Sequence, residues 1–298
     1  MTNTLRTRIG SFGFWVSRKR LPTDERGLRE IGAELDDIGV PALWVGGSPT
    51  ADLTIAEHLL AGSNRLLVGT SILNIWTEDP AVVAASCQRL ADGFGDRFVL
   101  GIGAGHAPTA EQTGQAYVRP LGRLRGYLDD LDHAEHPVRA EARMLAALGP
   151  KALELAAERS AGALPYLTTP EHTREARQIM GAEALLVPEH KVVLLDDPGA
   201  ARAVGRSILR TYLILPNYLN SWRRLGFTDE DFAGEGSDRL VDAMVAHGDI
   251  DAVMTRLVEH LDAGADHVAV QPLAPDGTLP LAQWRLLAAA FRDFPAAR

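Results

Sequence analysis

Short, mainly apolar runs recur along this chain, each followed by a stretch whose apolar residues fall on one helical stripe, and no other feature constrains its fold as tightly. The runs at 42–45, 66–73 and 98–102 lack the polar alternation of a sheet with one wet face. Strands covered on both faces read this way, which implies a parallel sheet with helical crossovers. The stretches between them comply. Leu28, Ile31, Leu35 and Ile38 are spaced by threes and fours before Gly39, and Pro80 opens a helical pattern over 80–92. A first strand is expected over 8–16 and a short helix over 55–61. Further on, strands are expected over 143–148, 163–167, 192–195 and 267–270. Helices are expected over 150–161, 170–180, 250–263 and 281–291, with Gly264 as a C-terminal cap. Residues 199–248 break the rhythm and read as an inserted helical lid. About eight strand–helix pairs predict one (β/α)8 TIM barrel over 1–298, with insertion segments at its C-terminal face.

Composition narrows the function. At 46% hydrophobic and 23% charged residues the chain has material for a large core. A net charge of −9, with no basic run longer than Arg18–Lys19–Arg20, argues against nucleic acid as a partner. Cys87 is the only cysteine, so neither an internal disulfide nor a cysteine zinc site is available. With a polar N-terminus and no apolar run near the ~20 residues a membrane span needs, a cytoplasmic protein away from membranes is expected. Glu57–His58 lacks the second histidine of H-E-x-x-H, so no metal is expected, and no G-x-S-x-G elbow supports serine hydrolysis.

In a parallel barrel the reacting groups stand on the loops after the strands. Gly101–Ile102–Gly103–Ala104–Gly105–His106 is no dinucleotide fingerprint, because no helix opens at the required point and the third glycine is absent. Its glycines would let a flat ring approach the backbone with His106 at the mouth, although a plain surface histidine is an equal reading. Leu148–Gly149–Pro150–Lys151 sits where a strand hands over to a helix, and free N–H groups with Lys151 would suit a phosphate. Proline at a first helical position also has a purely structural explanation. Thr168 and Thr169 offer hydroxyls at the next strand end, where Thr169 equally suits a helix cap. Trp15, Asn74, Trp76, Tyr218 and Trp222 are candidates for a substrate wall, while aromatic residues there and at Trp44 serve core packing at least as often.

Residues 67–73, 79–84 and 97–105 together resemble the third strand, third helix and fourth strand of the luciferase-like monooxygenase superfamily. The similarity extends over most of the chain, and more narrowly it is with an actinobacterial group of F420-dependent oxidoreductases. The resemblance implies a cis peptide at Ser71–Ile72 behind the cofactor ring, Gly103, Ala104 and Gly105 beside it, and cofactor phosphate contacts at Leu148, Gly149 and Thr168 or Thr169. It implies coenzyme F420 as cofactor, with FMN the alternative, a small-molecule substrate, and a possible homodimer. Arg174, Arg177 or Lys151 at the rim would favour the anionic tail of the deazaflavin.

One departure stands out. Relatives often carry an Asp-His pair after the second strand, whereas this chain has Gly46–Gly47–Ser48. His106 is then the best replacement for the acid/base, with Ser48 second. Hydride transfer between the deazaflavin C5 and a small organic substrate is the expected reaction. An FMN-dependent monooxygenase is the alternative, and a non-catalytic cofactor-binding relative a further one.

Overall fold

The computed structural model describes residues 4–274 and 276–293. One parallel sheet contains β1 (Phe12–Ser17), β2 (Ala42–Gly46), β3 (Leu67–Thr70), β4 (Leu73–Asn74), β5 (Phe98–Gly103) and β6 (Arg143–Leu145). It continues through β7 (Gly162–Ala163), β8 (Leu185–Leu186), β9 (Glu189–Val193), β10 (Val245–His247) and β11 (Val268–Pro272). The order is β10-β9-β11-β1-β2-β3-β5-β6-β7-β8. Strands β3 and β4 are one strand interrupted at the cis bond Ser71–Ile72, with β4 pairing on to β5. Strands β8 and β9 are likewise continuous in hydrogen bonding: Val187 N donates to Ala163 O at 3.0 Å and Ala269 N to Pro188 O at 2.9 Å. Residues 185–193 therefore join both ends of the order and close a ring of eight strands, with β10 added beside β9.

The barrel interior is a packed core, as in other barrels of this size. Trp44, Leu67, Val99, Met144 and Leu185 fill it together with Ile9 from the helix Thr4–Ile9. Gly69 is required there, because an added Cβ would lie 2.5 Å from the Trp44 ring. Trp44 Nε1 donates to His267 Nε2 at 3.1 Å, and His267 Nδ1 donates to Gly10 O at 2.9 Å. Burial pushes His267 down to about 4, and the neutral tautomer satisfies both neighbours. Outside the strands, helices bury their apolar stripes: Leu28, Ile31 and Leu35 of Glu25–Asp37 face the sheet as their spacing predicts.

Four expected boundaries are corrected. Strand β1 starts at Phe12 because residues before it form the helix Thr4–Ile9. The expected strand at 143–148 ends at Leu145, and that at 163–167 is Gly162–Ala163. The strand placed at 192–195 is the tail of 185–193, masked in the sequence by Glu189, His190 and Lys191. Helices Ala107–Gln112 and Pro120–Asp132 follow β5 where the sequence reading had none. Residues 199–248 fall on helices Pro198–Leu209, Pro216–Arg224, Asp229–Phe232 and Asp238–Met244, followed by β10. They pack Leu209, Trp222 and Leu240 with Leu167, Val193 and Leu273 near the C-terminal strand ends. Among the described residues no helix is long and apolar enough to cross a membrane.

Candidate active site

A cleft of about 670 Å3 opens at the C-terminal strand ends, within the range of pockets that enclose small organic molecules. Each wall comes from a different strand or the loop after it: Trp15 from β1, Ser48 after β2, Asn74 from β4, His106 after β5, Gly149 after β6 and Gln271 from β11.

Of the residues expected to hold a cofactor, Ser71, Ile72, Ala104, Gly105, Leu148 and Gly149 line this cleft. Gly103, Lys151, Thr168 and Thr169 are not among its lining residues. Gly103 serves strand packing, since an added Cβ would lie 2.7 Å from the Ala146 Cβ. Lys151 is exposed on its helix. Thr169 caps Pro170–Met180, its hydroxyl accepting from His172 N. Thr168 is fully buried and its Oγ1 has no hydrogen-bond partner. Of the expected substrate wall, Trp15, Asn74 and Tyr218 line the cleft, while Trp76 and Trp222 stand behind it. Trp76 Nε1 donates to Ala104 O at 2.8 Å and Trp222 Nε1 to Leu167 O at 3.1 Å, so both fix the backbone of the wall. Arg177 lies at the opposite end of the barrel, held by Gly264 O and the Asp266 carboxylate, which removes it from the rim. Arg174 is exposed on the same helix.

Two buried polar atoms at the cleft lack partners, His106 Nδ1 and Trp15 Nε1. Such groups are costly unless something pairs with them. Burial lowers the pKa of His106, against a weaker opposing hydrogen bond with Asn217, so the ring is neutral at pH 7. The Tyr218 ring packs 5.6 Å from it.

The helix Pro150–Arg159 begins at the foot of the cleft with Gly149 as its N-cap, with no side-chain cap. Gly149 has φ −97°, a conformation open to any residue. Among the described residues the nearest non-neighbour atom to an added Cβ is Arg224 Nη2, at 3.9 Å. Glycine is a common N-cap residue, and with no side chain at Gly149 the start of this helix stays open toward the cleft it lines. The preceding carbonyl is held in place, Leu148 O accepting from His172 Nε2 at 2.9 Å and from Arg224 Nη2 at 3.2 Å.

The sequence profile of the luciferase-like monooxygenase family matches residues 7–267. The chain belongs to that family. A Mycobacterium tuberculosis protein named as a candidate coenzyme F420-dependent oxidoreductase is 25% identical over 309 aligned positions, covering 81% of this chain and 89% of the relative. The F420-dependent tetrahydromethanopterin reductase of Methanopyrus kandleri superposes with a TM-score of 0.73 at 17% identity, over 94% of this chain and 97% of that one. An FMN-bound type II Baeyer-Villiger monooxygenase of Pseudomonas putida gives 0.67 at 12% identity, over 97% and 100%. These structural likenesses establish the luciferase-like barrel.

The departure from the family pattern after β2 has a physical reason in this member. An added Cβ at Gly46 would lie 1.9 Å from Trp15 Cζ2, so the indole occupies the space a side chain would need. Gly47 and Ser48 then turn with φ of 78° and 55°. Ser48 reaches the cleft wall.

Sequence reasoning missed a polar group on the far wall. Tyr212 OH donates to Tyr166 OH at 3.2 Å, and Tyr166 OH donates to Gln271 Oε1 at 3.1 Å. Beneath the Tyr166 ring, 3.9 Å from its centroid, sits Lys191 Nζ, paired with Glu189 Oε1 at 2.9 Å. Both ions are buried; burial raises Glu189 and lowers Lys191, and each is pulled back by the other. Two opposite charges two residues apart inside a strand share one face, the one local signal that could have revealed the pair.

Proposed function

We propose that this member of the luciferase-like family is an F420-dependent oxidoreductase acting on a small organic substrate. The observation that carries the reading is the open, uncapped helix start at Gly149 on the floor of the cleft. The main-chain N–H groups of Gly149 and Lys151 and the nearby Arg224 would grip a phosphate, since Pro150 has no N–H and Ala152 and Leu153 donate to Gly149 O, and Ser71, Ile72 and the Ala104–Gly105 backbone would flank the ring. When bound, the deazaflavin would exchange a hydride with the substrate carbon, taking it up in substrate oxidation and giving it in the reverse reaction. The chain supplies orientation and a proton site. His106, neutral and half-buried, exchanges a proton with the substrate oxygen, and Ser48 is the second candidate. Tyr218 packs against the imidazole and limits its rotation. The relative named for F420 favours the deazaflavin. FMN is the second reading, favoured by the FMN-bound structure that shares the fold.

Residues 199–248 form, on this reading, a lid over the cleft: Ile208, Thr211, Tyr212, Asn217 and Tyr218 all line it from this segment. The single-domain division over 1–298, a cytoplasmic setting with Cys87 free, and a homodimer belong to the same proposal. His106→Ala tests the chemistry. Turnover is expected to fall about 10²–10⁴-fold, the ordinary worth of a positioned acid/base, while cofactor affinity is kept. Unchanged turnover would remove His106 from the reaction.

A further inference from the structure

We infer that the cleft takes an organic anion as its substrate, and that the turn after β1 holds the oxyanion through Lys19 and Arg20. The inference rests on the proposed cleft function and names its substrate class.

Lys19 and Arg20 line the cleft, and no Asp or Glu does. Behind the wall Glu189 is paired with Lys191, so those two ions add no net charge. Arg20 Nη1 donates to a carbonyl, Thr278 O, at 3.3 Å, which holds the guanidinium without neutralising it. The Asp276 carboxylate is turned to Thr278, accepting from its N at 3.0 Å and its Oγ1 at 2.8 Å; those bonds lower its pKa most and Arg20 least. Among the described residues neither Lys19 nor Arg20 has an ion-pair partner. The turn itself is placed by local sequence. Ser17 Oγ accepts from Lys19 N at 3.4 Å and caps the 3₁₀ turn Arg18–Arg20. The loop after β2 packs against it because residue 47 is glycine: an added Cβ would stand 3.0 Å from Ser17 Oγ and 3.5 Å from Arg18 Cγ. Ser48 of that loop adds a hydroxyl and no charge to the wall. Trp15, on β1 itself, adds a buried Nε1–H without a partner. Ammonium, guanidinium and indole N–H groups donate and cannot accept. The group that completes this corner is therefore an acceptor, and the two unpaired cations make it an oxyanion.

This corner is separate from the floor at Gly149. Round the ring, β2, β3 and β5 lie between β1 and β6 one way, and β7, residues 185–193 and β11 the other. The turn Arg18–Arg20 and the helix start after β6 thus stand on opposite rims of the mouth. In the deazaflavin the acidic tail is joined beyond the phosphate, on the side away from the ring. A phosphate held at Gly149 therefore leaves the tail on the β6 side, and the basic turn across the mouth faces the substrate instead.

The probes are 2-naphthoate and 2-naphthamide, similar in shape and differing in charge, titrated calorimetrically into the full-length protein at low salt. The carboxylate is expected to bind at least about tenfold more tightly, the worth of one hydrogen bond to a charged group. In the double variant Lys19→Met with Arg20→Met this preference is expected to shrink to within about twofold, with the naphthamide affinity unchanged as the control for a folded cleft. Equal affinities in the wild type, or a preference that survives the double substitution, would overturn the assignment. F420 is expected to bind wild type and double variant within about threefold of each other; a loss of about tenfold would give the turn to the cofactor tail and overturn it as well. Titration of the wild type with F420 and with FMN separates the two failures. Loss of the redox reading shows as no cofactor binding with the naphthoate preference intact, and loss of the anion site shows as the reverse.

Discussion

His106 illustrates how a single side chain is set by its surroundings. Burial lowers its pKa below 6.5, so the proton-accepting form already dominates at neutral pH. For substrate oxidation, rate is therefore expected to rise with pH through a value below 6.5 and then stay level, and the rising limb is expected to vanish in His106→Ala. A profile that still rises above pH 7 would place the essential proton elsewhere. His106 was legible in the sequence because it follows a glycine-rich strand end, where barrels put their chemistry. Tyr166, Tyr212 and Gln271 were not, since their only relation is spatial and no local pattern marks it. Trp76 and Trp222 were legible as aromatic residues, but which way each faces is decided by Ala104 O and Leu167 O, the carbonyls that take their N–H groups.

At the scale of elements, strands β1, β2, β3 and β5 were readable because both their faces are apolar. The strand 185–193 was hidden by the Glu189–Lys191 pair, and with it the closure of the barrel. That pair dictates how the strand responds to mutation. Lys191→Met leaves the Glu189 carboxylate buried without its ion-pair partner, with the Leu167 N–H still donating to it, and is expected to destabilise the fold by about 3–5 kcal/mol, whereas Glu189→Leu with Lys191→Met removes both charges and is expected to cost far less. Chemical denaturation of both variants reads the difference. A single variant as stable as the wild type would mean that the carboxylate finds water. Boundaries after β6 and β7 were blurred because the strands are short and the apolar run continues into the cleft wall, which Leu148 and Leu164 line, Leu164 while its N–H still donates to Leu145 O.

For the molecule as a whole, buried histidines make stability pH-dependent. His267 is held down to about 4 and His260 to about 3, both chiefly by burial, and His190 lies well below its ordinary value. Their tautomers are fixed by neighbours: Thr173 Oγ1 accepts from His260 Nδ1 at 2.8 Å, and His190 Nδ1 donates to His260 Nε2 at 3.0 Å. In the unfolded chain the same rings bind protons below about 6.5, so the unfolded state takes up more protons and stability falls as pH drops. The loss is expected to begin near pH 6.5 and to continue to pH 4, at up to about 1.4 kcal/mol per pH unit for each such histidine. His267→Gln, measured by denaturant melts across that range, is expected to flatten the slope; an unchanged slope would assign the acid sensitivity to other groups.

The barrel architecture and the family were readable from the strand rhythm together with the motifs at 67–105. The shape of the cleft was not, because it depends on how the four helices between Pro198 and Met244 pack near strand ends that are remote in sequence. The central claim is that this cleft holds a phosphate-bearing tricyclic cofactor over Gly149. Fluorescence titration of the wild type and of Gly149→Val with F420 and with FMN tests it most directly. Saturable binding, tighter for F420, is expected in the wild type, with a loss of at least about tenfold, or about 1.4 kcal/mol, in the variant, whose isopropyl group would stand between the ligand and the helix start, while the variant still melts cooperatively. Binding of neither cofactor to the wild type, or equal binding to both proteins, would contradict it.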